Sequence, residues 1–305
     1  MDWIKKMRAA IAARFPQRRN FDLQFEQFSA ADYKSELLDN DLERETVSSQ
    51  RRLKFAVNLP IVKDKNWNLY GSGRCKFDSF DIQNVTHAGP YQTYPLSSSI
   101  DYHYFSTGIT AALISKLFQK PVIYTLNAAA DGSEKGYERV KGNLSASMIL
   151  KRSKSTVITA GFVTFLDRSS PFIALPSFSF THQSENSPWM IDIVLPRQVY
   201  LRRTIAGTGR LSLGTELENE SLYIDLDYPG FAGPYDLRRT ELKTGAVFEY
   251  CLAKNTVAAF RAGIADILIS KAMRKGESSS DYVLEQKQDI SGFINFGISF
   301  NPFEK

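Results

Sequence analysis

Long apolar runs are missing from this chain of 305 residues. The longest span only a handful of positions, against the roughly 18 consecutive apolar residues that a membrane helix needs. A helical membrane protein is thereby excluded. A β-barrel is not, because each barrel strand shows lipid only every second side chain and averages out as polar. The mean hydropathy of -0.27 is therefore no argument against a membrane. Cysteine is scarce as well: Cys75 and Cys251 cannot build a disulfide framework and read as two free, structural thiols. Histidine occurs three times, and neither His nor Cys stands at ligand spacing, so no metal or other cofactor is expected. His87 falls in an expected loop, His103 near a strand start beneath it, and His182 beside a turn at the other end. No serine sits in a Gly-x-Ser-x-Gly elbow within reach of such a base, so the chain does not read as an enzyme. Charge of one sign is also lacking, with 38 basic against 33 acidic residues and a net charge of +5. The basic residues lie mainly at alternating strand positions, and no nucleic-acid footprint results.

Aromatic residues are plentiful, at 12% of the chain, which suits strands and the aromatic girdles that membrane barrels place at both interfaces. The strongest signal is alternation with a period of two. Leu53, Phe55, Val57, Leu59 and Ile61 share one face, and Arg52, Lys54, Ala56 and Asn58 the other. The same holds for Val140, Leu144, Met148 and Leu150 against Arg139, Lys141, Asn143 and Ser145. It recurs for Leu242, Ala246, Phe248 and Tyr250 against Glu241, Lys243 and Glu249. Further strands are expected over 21–28, 68–80, 102–118, 121–130, 155–166, 172–182, 189–195, 198–205, 210–224, 256–272 and 290–301, about 14 in all.

Connection lengths supply the topology. Short turns at 63–66, 119–120, 152–154, 184–187, 206–209 and 253–255 alternate with longer connections such as 29–48, 81–100, 131–138, 226–236 and 273–289. Short periplasmic turns and longer extracellular loops are the habit of bacterial outer-membrane barrels. Taking 189–205 as one strand breaks this order. A turn at Leu195-Pro196-Arg197 restores it, since proline cannot donate to a ladder. Both termini then lie on the periplasmic side. The expected fold is a closed antiparallel transmembrane β-barrel over residues 21–305, preceded by a basic arm or lumen plug over residues 1–20 that carries Trp3, Ile4 and Met7 among Lys5, Lys6, Arg8 and Arg14. That start has no run of about seven apolar residues to serve as a signal core, so an exported chain would carry its signal outside these residues.

Three stretches carry a resemblance: Pro176-Ser-Phe-Ser-Phe180, Trp189-Met-Ile-Asp-Ile-Val-Leu-Pro196 and Val199-Tyr-Leu-Arg202. With the final amphipathic strand, in which Ile294, Phe296, Ile298 and Phe300 alternate with polar or small residues, the chain resembles a family of uncharacterised outer-membrane β-barrel proteins of Gram-negative bacteria. The resemblance implies barrel and outer-membrane location, and no activity. It implies outer-membrane lipid and the barrel-assembly machinery as partners.

The inward faces suggest the site. Arg52, Lys54, Arg74 and Lys76 belong to two neighbouring strands, and Arg139 and Lys141 add to the positive set. Glu216, Glu218, Glu241 and Glu249 gather on later strands. Glu220 extends the acidic run on the same face, where basic partners would satisfy it better than a metal. If the sheet closes, the two sets face one another across one lumen, as charges do in a porin constriction. The expected function is passage of small polar solutes. The alternatives are a non-conducting scaffold barrel that partners another envelope protein, and a soluble all-β binding protein.

Overall fold

The computed structural model describes residues 19–87, 97–167, 170, 172–185, 187–205, 208–226 and 229–303. The segment expected as a basic arm lies, apart from Arg19 and Asn20, outside the described residues. Among those described, every regular element is a β-strand, and there are 16. β1 (Phe21–Phe28) and β2 (Ala31–Leu37) are two pieces of one interrupted strand, because both run along β3 (Asn40–Lys63), with Phe28 opposite Gln50 and Ala31 opposite Val47. β4 (Trp67–His87), β5 (Ser97–Leu117), β6 (Lys120–Ser133), β7 (Gly136–Arg152) and β8 (Thr156–Phe165) follow as antiparallel neighbours. So do β9 (Ala174–Gln183), β10 (Trp189–Leu195), β11 (Gln198–Ile205), β12 (Gly209–Asp225), β13 (Pro234–Ala253) and β14 (Thr256–Arg274). β15 (Tyr282–Gln288) and β16 (Ser291–Phe300) form the second interrupted strand, both pairing with β14. β16 closes on β1, with Phe21 opposite Phe300 and Phe28 opposite Phe293. A continuous ring of 14 strands results, with β2 and β15 continuing it at one end. Closure leaves no unpaired edge where lipid surrounds the sheet.

The outer face carries the apolar belt. Leu53, Phe55, Leu59 and Ile61 on β3, Ile109 and Leu113 on β5, and Phe248 and Leu252 on β13 are large apolar side chains left exposed. Higher on β3 the outward positions change character: past Leu53 comes Arg51, paired to Asp81 of β4 at 2.9 Å. The belt ends there, and the strands above it project into water. At the end where β1 begins and β16 finishes, connections are two to five residues long, as at 118–119, 153–155 and 184–188. At the other end, stretches that read as loops are built largely as strand. Residues 29–48 contain β2 and the start of β3, joined by a two-residue turn at 38–39, while 131–138 hold only the turn at 134–135. The turn at 196–197 separates β10 from β11.

The wall is uneven in height. β10 has 7 residues and β3 has 24. At ~3.3 Å per residue and a tilt near 40°, these rise roughly 18 Å and 60 Å, against an apolar band about 25 Å tall. The β8 to β11 side is therefore low and the remainder high.

This difference leaves β12 without a neighbour. Its pairing with β11 ends at Glu216 opposite Gln198, with one more bond from Leu217 N–H to the Arg197 carbonyl at 2.7 Å. Beyond that point β12 pairs only with β13. A crease lies just below: Gly214, Gly245 and Gly263 stand opposite one another on β12, β13 and β14. A Cβ at Gly245 would fall 2.1 Å from the Ala262 carbonyl oxygen, and one at Gly263 equally close to that of Thr244. Only glycine permits this approach, a usual device for bending a sheet sharply. A bulge between Thr240 and Glu241 adds to the bend. The upper β12–β13 hairpin consequently folds over the lumen and is covered on both faces. Leu222 and Ile224 pack with Leu37, Leu42, Leu237 and Leu284 in an apolar cluster. On the opposite face Tyr223 stacks on Tyr104 of β5, with ring centroids 6.4 Å apart.

Candidate functional site: a charged plug and the cavity beneath it

Period-two alternation puts every second side chain of the ring inside, and the inward hairpin brings β12 and β13 against the opposite wall. Arg52 is the centre of the contact, with 0% of its surface exposed. Its guanidinium holds Glu241 with both terminal nitrogens, at 2.8 and 3.0 Å, and Asp78 with Nε at 2.8 Å. Lys54 reaches Glu218 at 2.9 Å and Glu220 at 2.7 Å. Lys76 donates to Glu220 at 2.7 Å and to the Ser221 carbonyl at 3.0 Å. Lys243 bridges Glu26 and Glu218, each at 2.9 Å. With Arg239 placed 3.9 Å from Glu241, five cations meet five carboxylates. Buried charge persists only where each ion is paired and hydrogen-bonded in this way. The expected opposition of basic and acidic sets across a lumen is thus direct contact, with Arg52, Glu26 and Glu241 shut off from solvent.

A second cluster clasps the hairpin's other face. Asp131 of β6 accepts from Tyr223 at 2.8 Å and Tyr104 at 2.9 Å, and is paired with Lys141. Arg139 reaches Asp236 at 2.7 Å, while Arg238 joins Asp236 at 3.0 Å to Asp167 at 2.6 Å. Above the plug a cavity of about 420 Å³ lies between apolar side chains such as Leu222, Phe80 and Ile100. Its wall includes Glu45, on β3 above the belt, whose carboxyl is pushed up to about 7 by burial and by the neighbouring Glu43.

Below the plug the ring encloses a larger, polar cavity of about 870 Å³. Glu249 lies there between Arg19 and Arg210, the latter at 2.6 Å. Glu216 accepts from Tyr200 at 3.1 Å and faces Arg261 at 3.5 Å. Arg74, two residues before Lys76 on the same face of β4, is exposed to this cavity and has no acidic partner among the described residues.

Of the residues singled out in the sequence, then, Arg52, Lys54, Lys76, Glu218 and Glu241 come together in one plug. Arg139 and Lys141 enter the second clasp, and Arg74, Glu216 and Glu249 line the lower cavity. Glu220 and Lys243, already placed on those polar faces, join the plug, while Glu26, Asp78 and Arg261 belong with them and follow from the same alternation carried further along each strand. Asp236, Arg238 and Tyr223 had no such signal, since they occupy the face that the alternation assigns to lipid. Cys75 and Cys251 form no disulfide. His103 lies edge-on to Phe77 at 5.2 Å, and His182 bonds Thr156 at 2.8 Å. The His87 side chain falls outside the described residues.

No family model matches the chain, and no curated protein does. Among solved structures it is similar to an outer membrane channel from Pseudomonas putida F1, at 9% identity over 92% of this chain and 94% of that one, with a TM-score of 0.39. It is similar to a Pseudomonas aeruginosa FadL homologue at 7% identity, over 95% and 92% of the two chains, with a TM-score of 0.41. The Acinetobacter baumannii outer membrane protein Omp33 matches at 8% identity, over 93% and 98%, with a TM-score of 0.33. Likeness of this degree carries no argument about what the present barrel does.

Proposed function

We propose that this protein is an outer-membrane channel for small polar solutes that rests in a closed state, its gate being the inward-folded β12–β13 hairpin. The observation that carries this reading is the polar cavity of about 870 Å³, which ends against a plug made from the barrel's own wall. Side chains alone fasten the hairpin tip to β4–β7, while β13 stays laddered to β14 as far as Tyr235; swinging the tip away from β4–β7 as part of that ladder would break ion pairs and a tyrosine stack and leave the 14-strand ring intact. Outer-membrane location is supported by the closed ring, the apolar belt and the tight turns at the end where β1 begins and β16 finishes. Lipid and the barrel-assembly machinery are the partners this reading requires.

The balance of charge in the plug favours a second reading, a non-conducting barrel that anchors another envelope protein. One variant separates the two. Glu216 and Lys243 stand opposite each other in the β12–β13 ladder, so residues 217–242, which bring Glu218, Glu220, Arg239 and Glu241 to the plug, can be replaced by an Asn-Gly turn between them. Planar bilayers should show steady conductance for this variant and rare or no openings for the intact chain. A variant that folds as a heat-modifiable barrel and stays silent would sink the channel reading, and pulldown from native membranes would then seek a stoichiometric partner.

A further inference from the structure

The lower cavity carries an excess of positive charge that the plug lacks. Six arginines line it, at positions 19, 74, 197, 202, 210 and 261, against four carboxylates, Asp22, Asp192, Glu216 and Glu249. Every one of those carboxylates has an arginine partner. Arg19 serves Asp22 at 4.0 Å and shares Glu249 with Arg210, while Arg202 holds Asp192 at 2.7 Å and Arg261 faces Glu216. Two guanidiniums are left over. Arg74 has no acceptor among the described residues, and Arg197 donates to a neutral one, the side-chain oxygen of Gln198, at 2.9 Å. The two come from separate parts of the ring, β4 and the low rim between β10 and β11. The wall beside Arg74 presents Ser72, Ser106, Thr110 and Asn127, hydroxyl and amide groups that can bond a polar solute without adding charge.

We infer that this cavity takes small carboxylate-bearing anions, with Arg74 and Arg197 supplying the uncompensated positive charge. A guanidinium offers two parallel N–H donors to a carboxylate, which a point charge cannot. Walls of low dielectric focus the field of the two free charges into the water between them. Cations meet the opposite condition, because each carboxylate that would attract them is already paired. The inference rests on the channel reading for passage, and on the cavity alone for binding.

Two measurements test it, one of which needs no conductance. In a chain carrying Cys75→Ser and Cys251→Ser, Ser72→Cys places a thiol in the cavity wall. An anionic sulfonatoethyl methanethiosulfonate should label it about tenfold faster than its cationic trimethylammonium analogue, relative to their rates with a free thiol. Adding Arg74→Glu and Arg197→Glu should invert that order. Equal rates, or a faster cation, overturn the inference whether or not the barrel conducts. The second measurement uses the 217–242 replacement in bilayers under a gradient of potassium gluconate. The expected reversal potential is that of a several-fold preference for gluconate over potassium, reduced in Arg74→Ala with Arg197→Ala. Silence of the replaced barrel would refute the channel and leave the labelling result to judge the cavity. Conductance with a preference for potassium would refute the anion assignment and leave the channel standing.

Discussion

The lower and upper halves of this barrel are built from the same strands and obey different rules. Below the crease a ring of 14 strands separates lipid from a wet polar cavity, so each strand has one apolar and one polar face. Above it the β8 to β11 wall has ended, and the remaining strands pack on one another. There the β12–β13 hairpin is covered on both faces, by leucines on one side and by tyrosine, aspartate and arginine on the other. Identical alternation therefore has two meanings, set by whether a neighbouring strand continues. Loss of the neighbour, more than any change in composition, turns a wall into a plug.

The sharpest challenge to this contrast replaces an arginine in each half. Arg52→Leu removes the guanidinium that Glu241 and Asp78 share in a fully buried site, and should cost about 3–5 kcal/mol of unfolding free energy in lipid vesicles. Arg261→Leu faces the hydrated cavity and should cost no more than about 1 kcal/mol. Equal losses would mean that the plug is as wet as the cavity. Next in size is Gly245→Ala, which sets a methyl group against the Ala262 carbonyl and should cost ~1–3 kcal/mol. It should also raise conductance by straightening the crease, whereas alanine at the open position Gly73, with nothing within 4 Å, should do neither. Tyr223→Phe removes one of the two phenol donors to Asp131 and should lower stability by about 1 kcal/mol, with more frequent channel openings as its functional mark.

The smallest effect depends on pH. The folded chain holds the Glu45 carboxyl near 7, above its ordinary 4.5. Folding thus favours the neutral acid: its contribution is complete below about pH 4.5 and is lost as pH rises through 7. Glu45→Gln should leave stability unchanged at pH 4 and raise it at pH 8 by on the order of 1 kcal/mol, once screening at this half-exposed site is allowed for. A gain at both values would assign the effect to something other than titration.

Strand number and the break at Pro196 were legible because membrane strands have two unlike surroundings. Leu53 and Phe55 against Arg52 and Lys54 can mean little else. β2 was not, although it alternates: Ala31, Tyr33, Ser35 and Leu37 lie inside. Its outward set is Asp32, Lys34 and Glu36, which lacks the apolar row a lipid-facing strand presents, and so it resembled a loop. In the site, period two led to Arg52, Lys54, Lys76, Glu218 and Glu241. The same reasoning stopped two residues short of Asp78, and it placed Lys243 on the polar face of its strand without counting it among the site residues. It had no access to Asp236 and Arg238, whose burial depends on a fold of the hairpin that no local pattern encodes. Nor could it foresee that opposite charges would touch, since contact depends on how far the sheet bends at Gly214, Gly245 and Gly263.

The low wall also acts outward. Where β10 and β11 meet at Pro196 and Arg197, the apolar surface offered by Leu195 and Val199 stops short of the thickness of a bilayer. Lipid chains on that side must shorten, or the whole barrel must lean toward it, at a cost of a fraction of a kcal/mol per ångström of mismatch. The protein therefore has a front and a back in the plane of the membrane. Thinned lipid would gather along one flank only, giving any neighbour a preferred direction of approach.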